Sequence, residues 1–328
     1  LGQVSVQATI EVRGQFVRAN EAPTLTIHRT DLNGAPRAGR GQWRVSRLVQ
    51  PSQPVMPADE PMRAPTQRKG EPAPYQTPGD LLRPRWENQF EPRVTLKNFE
   101  NGAEVQKGEG ATDAAGQLVV TLNALPAGAY RLTYTTVDDF GARCEATSEF
   151  LVVDRDLPAQ LPLMLIARTD VAPVGTTLEL LAGSAFAGQP VLFELFQDGV
   201  AKERRWLTQG KDAALISRPI TPADRGGFTI HLTAVRDWQV LHQELVVIVP
   251  RDDKALNLRF STFRDTLRPG GHETFRITAT TPDGGVGAGG AEVLAFMYDR
   301  SLDSFGPLAV PLLSEHFASR TAAAVFGN

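Results

Sequence analysis

The chain has 328 residues, with 34 Lys and Arg against 37 Asp and Glu, for a formal net charge of −3. With a pI near 6.0 it has no surplus of positive charge to draw it to nucleic acid or an anionic membrane. A hydrophobic fraction of 41% fits a globular protein of two or three domains, and no run of 18 apolar residues is available to span a bilayer.

The single cysteine, Cys144, rules out an intrachain disulfide. It suits a reducing compartment and is also compatible with a periplasm. Cys144 shares one strand parity with Ala142, Ala146, Phe150 and Val152, which predicts a small core residue rather than a reactive thiol. The chain opens at Leu1 without an initiator Met or a basic-then-apolar leader, so whatever preceded it is expected to have been removed.

Strands are predicted from the start. Val4, Val6, Ala8, Ile10 and Val12 alternate with polar residues, the pattern of a half-buried strand. Thr24–Arg29 and Gln42–Leu48 read as two more, joined by a hairpin turn at Asn33-Gly34. Residues 50–93 break the pattern. Ten of the 24 prolines lie there, from Pro51 to Pro92, with few aliphatic residues to offset an ordering cost of about 1–2 kcal/mol per residue. This segment is expected to be a proline-rich insertion, draped or disordered, with Trp86 and Phe90 as anchors.

Strands resume at Gln117–Leu122 and Arg131–Val137, where Tyr130, Leu132 and Tyr134 share a face. They close at Ala142–Val153 after a turn at Asp138–Gly141. Asp154–Pro162 reads as a linker. A second unit follows, with strands near Leu163–Ala167, Thr176–Gly183, Val191–Gln197, Val200–Leu207, Ala213–Pro219, Gly227–Arg236 and Gln243–Val249. Asp198-Gly199 makes a hairpin turn between two of them. Beyond a linker at Pro250–Lys254 come Leu256–Phe263, Glu273–Thr280, a glycine-rich turn at 282–290 and the apolar run Ala291–Tyr298.

Pro173 and Pro269 each precede a Gly two residues on and then an alternating strand. They lie roughly 100 residues apart, the length of one sandwich domain. Pro23 recurs at a similar spacing once 50–93 is set aside. The expected class is therefore all-β, a tandem of antiparallel β-sandwiches. The units are 1–154 with the insertion 50–93, then 155–250, then 251–303 as the first part of a third. A loose tail, 304–328, would end a fragment that stops inside a domain.

In Ala291–Asp303, Ala291, Glu292, Val293, Leu294 and Ala295 run into Tyr298, Asp299, Ser301, Leu302 and Asp303. This stretch resembles the alpha-2-macroglobulin proteins of bacteria. The resemblance implies strings of seven-stranded macroglobulin-like, Ig- or fibronectin-like domains. It also implies a parent protein that traps peptidases after a flexible bait segment is cut. Tyr298, Asp299, Ser301, Leu302 and Asp303 would lead into that bait, and Phe305, Leu308, Arg320 and Phe326 offer cleavage sites to several peptidase classes. The implied partners are target peptidases and neighbouring macroglobulin-like domains. The implied location is the periplasm or cell envelope, with a parent that is lipid-anchored or secreted. The thioester-forming Cys-Gly-Glu-Gln of many macroglobulins is absent from this stretch.

No enzyme chemistry stands out. None of His28, His231, His242, His272 and His316 has a partner at metal-ligand spacing, so no metal and no cofactor is expected. A Ser301–His316–Asp303 triad lacks nucleophile-elbow glycines. Gly284–Gly290 lacks the Lys-Ser/Thr and the helix of a phosphate loop. The competing expectation is a purely structural string of sandwich domains in a surface or envelope protein.

Overall fold

A computed structural model describes residues 5–57, 78–82, 91–208, 214–262, 272, 274–281, 285 and 317–323. The protein is all-β. Strands β1 (Val6–Val12), β2 (Phe16–Arg18), β3 (Thr24–Asp31) and β4 (Gly39–Leu48) come first, followed by two short helices, α1 (Pro78–Leu82) and α2 (Pro92–Lys97). Strands β5 (Asn101–Thr112), β6 (Gln117–Thr121), β7 (Gly128–Val137) and β8 (Arg143–Val153) complete the first sandwich. One sheet has the order β1-β3-β6 and the other β2-β8-β7-β4-β5. All these pairings are antiparallel except β2–β8, where Phe16 lies beside Leu151 in parallel register.

Alternation decides which residues fill the space between the sheets. Tyr130, Leu132 and Tyr134 of β7 point inward against Leu25 and Ile27 of β3, Val45 of β4 and Phe150 of β8. Each such side chain withdrawn from water contributes roughly 1.5–3 kcal/mol. The Tyr130 hydroxyl is not stranded by its burial, because it donates to Pro126 O at 2.8 Å. Cys144 lies on the inward parity of β8, as its neighbours in sequence predict, but it is half-buried there and stands outside the core cluster.

Three local expectations change. Asn33-Gly34 does make a tight turn, with Gly34 N–H donating to Asp31 O at 3.0 Å and φ +83° at Gly34. It does not join a hairpin: β3 and β4 belong to different sheets. There the buried Arg29 guanidinium links the two sheets, donating to Ala38 O at 2.7 Å and to Val137 O at 3.0 Å.

The second change is β5, a twelve-residue strand absent from the sequence reading. It pairs with β4 at the sheet edge and is mostly exposed, so it carries no apolar alternation. Its glycines have a steric reason: a Cβ on Gly108 would sit 2.5 Å from the Trp43 ring across the ladder.

The third concerns 50–93. Its described residues are docked: Val55, Met56 and Leu82 pack on the core, and Gln239 donates to Pro57 O at 3.0 Å. Trp86 and Phe90 lie outside the described residues. Beyond them, α2 is fastened by Arg131 on the outward face of β7. Its guanidinium donates to Leu96 O, Lys97 O and Phe99 O at 2.9–3.0 Å and to Glu149 at 2.6 Å.

Among the described residues the second sandwich has seven strands. They are β9 (Met164–Ala167), β10 (Thr177–Gly183), β11 (Pro190–Gln197), β12 (Val200–Thr208), β13 (Ala214–Pro219), β14 (Phe228–Arg236) and β15 (Gln239–Val247). Sheet β13-β10-β9 faces sheet β12-β11-β14-β15. Leu178 and Leu180 from the first sheet meet Phe193, Leu195, Phe228, Ile230 and Leu232 from the second. The predicted Asp198-Gly199 turn is present, with both residues at positive φ, 54° and 76°, as a two-residue hairpin with right-handed twist requires.

This core continues without a break into the outer face of the first sandwich, through Phe16, Leu48, Leu151 and Val153. The segment 154–163 between the sandwiches is itself packed, with Ala159, Leu161 and Leu163 buried. Finally, β16 (Asn257–Thr262) and β17 (Arg276–Thr280) form an antiparallel pair.

Candidate functional site

The stretch Ala291–Phe305 lies outside the described residues, and with it Tyr298, Asp299, Ser301, Leu302 and Asp303. So do Pro269, His316 and the glycine run apart from Gly285. Among the described residues, chemistry gathers instead on the outer face of the four-stranded sheet of the second sandwich.

That face is set by parity. Phe228, Ile230, Leu232 and Ala234 of β14 point into the core, so Thr229, His231 and Thr233 point the other way. All three are nevertheless buried. Residues 317–323 contribute to this cover, running past the Asp198-Gly199 turn and the loop before β14. Asp198 N–H donates to Arg320 O at 2.9 Å, Gly199 N–H to Ala322 O at 2.7 Å, and Arg320 N–H to Gly226 O at 2.9 Å.

Side chains reinforce this strap. Thr229 Oγ1 donates to Thr321 O at 2.6 Å and Arg251 to Ala318 O at 3.0 Å. Arg320 donates to Ala223 O at 2.8 Å and grips the Asp198 carboxylate. The guanidinium holds the Asp198 carboxyl below its ordinary pKa. Part of the tail predicted to be loose is thus tied to the second sandwich, and Arg320, expected to be a cleavage site, is engaged.

Next to the strap lies a cluster the sequence reading missed. His231 on β14 faces Glu244 on β15, and Thr233 faces His242 two positions further along the register, on the same face. His231 Nε2 and Glu244 Oε2 are 3.1 Å apart, and the two imidazole rings meet edge-on with centroids 4.7 Å apart. His242 Nδ1 lies 3.0 Å from Thr233 Oγ1. The Phe196 ring closes one side, 4.8 Å from His231.

Glu194 of β11 sits opposite His231 on the other flank and is paired with Arg204 at 2.7 Å. Burial, and then the neighbouring His231, push the His242 pKa down. Among the described residues, His231, His242 and Glu244 are the group whose donor atoms could hold a metal ion, all lying within 4.8 Å of one another.

The missed signal was a turn. Asp237 and Trp238 form the β14–β15 hairpin at φ 49° and 62°, without a glycine. With no glycine to mark it, the strand start was expected at Gln243 rather than Gln239. His242 therefore never entered a strand, and its register against His231 was not visible.

A second polar centre lies at the seam between the sandwiches. Glu179 of β10 accepts from Arg18 of β2, and from Arg168 at 3.0 Å. Arg168 also donates to Glu21 at 2.5 Å, and Gln15 N–H donates to Arg168 O at 3.0 Å. The two guanidinium groups, Arg18 first, lower the Glu179 pKa. Beside them is a cleft of about 800 Å3 lined by Glu11, Arg13, Glu21 and Arg168.

No family model matches the chain, and no curated protein matches it. Solved structures similar to it are bacterial alpha-2-macroglobulins. The native Escherichia coli protein is 10% identical over 84% of this chain and 18% of its own, with a TM-score of 0.28. The trypsin-activated form is 10% identical over 85% and 19%, at 0.29. Salmonella alpha-2-macroglobulin reacted with methylamine is 11% identical over 86% and 19%, at 0.29. The chain spans about a fifth of the length of these proteins, and at such scores the likeness carries no functional argument. Among the described residues no helix is long and apolar enough to cross a membrane.

Proposed function

We propose that the chain is part of a larger protein that inhibits peptidases by steric trapping, cut in the short run 304–316. The observation that carries this reading is the strap. The motif-bearing stretch ending at Asp303 and residues 317–323, fastened to the second sandwich, bracket that run in sequence. A cut there severs the covalent tie between the third unit and the strap. Interfaces between domains of one chain are modest, so units freed of a tether can repack around the attacker.

In this reading the units are 1–154, 155–250 and 251–303, and Tyr298, Asp299, Ser301, Leu302 and Asp303 lead into the cut segment. The chain has no catalytic role of its own. Its partners are target peptidases and neighbouring macroglobulin-like domains, in a periplasmic or envelope-associated parent, lipid-anchored or secreted. One observation favours a second reading, a rigid spacer: the unbroken apolar core and the Glu179 ion pairs join the two sandwiches firmly.

The test mixes the intact parent with chymotrypsin-like and elastase-like peptidases, whose apolar and small-residue specificities can be met within 304–316, and assays each on a protein and on a small peptide substrate. A trap spares hydrolysis of the small substrate while blocking the large one. A spacer leaves both unchanged.

A further inference from the structure

We propose that His231, His242 and Glu244 form a binding site for a divalent transition-metal ion of the zinc class. The donor set is two imidazoles and one carboxylate. It suits zinc, cobalt, nickel or copper ions, and not calcium or magnesium, which need an all-oxygen shell.

The spacing fits. Donor atoms of a tetrahedral ion with bonds of about 2.0–2.1 Å lie roughly 3.3 Å from one another. Here His231 Nε2 and Glu244 Oε2 are already 3.1 Å apart, and no pair of the three donors exceeds 4.8 Å. Small side-chain rotations therefore close the set without moving the backbone.

The support is rigid, because two adjacent strands in unbroken register carry all three residues. Outer contacts are in place as well. Thr233 Oγ1 holds His242 by Nδ1 and Phe196 walls the His231 ring, the kind of second layer that orients metal-binding imidazoles.

The local charge favours a cation. Glu244 and the buried Glu194 face the cluster, and Arg204 neutralises only the latter. Glu244 is open to solvent on one side, which leaves the ion a way in and a water for the fourth position.

The test titrates the metal-free 328-residue chain with zinc by calorimetry and with cobalt by visible absorption. One ion per chain is expected, with the intense d–d bands of four-coordinate cobalt. Because His231 is buried, the diagnostic variants are the more accessible His242→Gln and Glu244→Gln, checked for folding by circular dichroism. Each is expected to weaken zinc binding at least tenfold. Replacing His28, His272 and His316 together by Gln should leave the affinity unchanged. Absence of saturable binding would overturn the proposal, as would binding that survives in the His242→Gln/Glu244→Gln double variant.

Discussion

Arg320 donates through both Nε, at 2.8 Å, and Nη2, at 2.6 Å, to the same carboxylate oxygen of Asp198, 122 residues earlier in the chain. No Lys or Arg other than Arg320 follows Arg300. A peptidase needs unpaired, extended backbone, and the strap's backbone is already bonded to the sandwich. Trypsin is therefore expected to cut after Arg320 slowly in the native chain, and at least tenfold faster in Asp198→Ala. Equal rates, followed by mass spectrometry, would show that the ion pair does not secure the strap.

Asp138 organises the turn after β7. Ser5 N–H and Oγ donate to one carboxylate oxygen, both at 2.9 Å, and Phe140 and Ala142 N–H donate to the other at 3.0 and 2.7 Å. These bonds, Ser5 N–H foremost, lower the pKa from 3.8 to about 2. A carboxyl depressed in the folded state stabilises it above its unfolded pKa and loses that contribution as pH falls through the folded value. Asp138→Asn should lower the melting temperature at pH 7, and the gap to wild type should narrow from about pH 4 toward pH 2. A gap independent of pH would contradict this role.

Arg131 is a buried cation whose removal strands Glu149 and takes a donor from Leu96 O and Lys97 O at the end of α2. Breaking a buried pair from one side typically costs about 3–5 kcal/mol. Urea unfolding of Arg131→Ala should register a loss of about 3 kcal/mol, and Arg131→Lys should recover only part, because an ammonium cannot fork to several acceptors. A loss within experimental error would mean that α2 is held by its apolar contacts alone.

Trp238 stands fully exposed at a positive φ that bulky residues avoid. The double change Asp237→Asn/Trp238→Gly supplies the residues that this turn prefers. Relief of the strain should exceed the entropy that glycine adds to the unfolded chain, for a net gain of about 1 kcal/mol in chemical unfolding.

That same turn marks how far the sequence could be read. Where apolar residues alternate along a strand or a turn carries glycine, as around Tyr130–Tyr134 and Asp198-Gly199, the residue pattern located it. β5 escaped because an edge strand that buries little needs no apolar rhythm. The His231–His242 contact escaped because it depends on register, and register here hangs on an Asp-Trp turn. The strap was unreadable for a different reason. Ser319–Ala322 has no periodicity, and its order comes from carbonyls and amides supplied by Asp198, Gly199 and Gly226.

The most direct test of the trapping account is a brief digestion of the intact parent by peptidases of different specificity, with sequencing of the new N-termini and small-angle scattering before and after. The account predicts first cuts within 304–316, strap residues 317–323 still protected, and a more compact particle once cut. First cuts confined to 50–93, or a particle whose dimensions do not change after cleavage in 304–316, would contradict it.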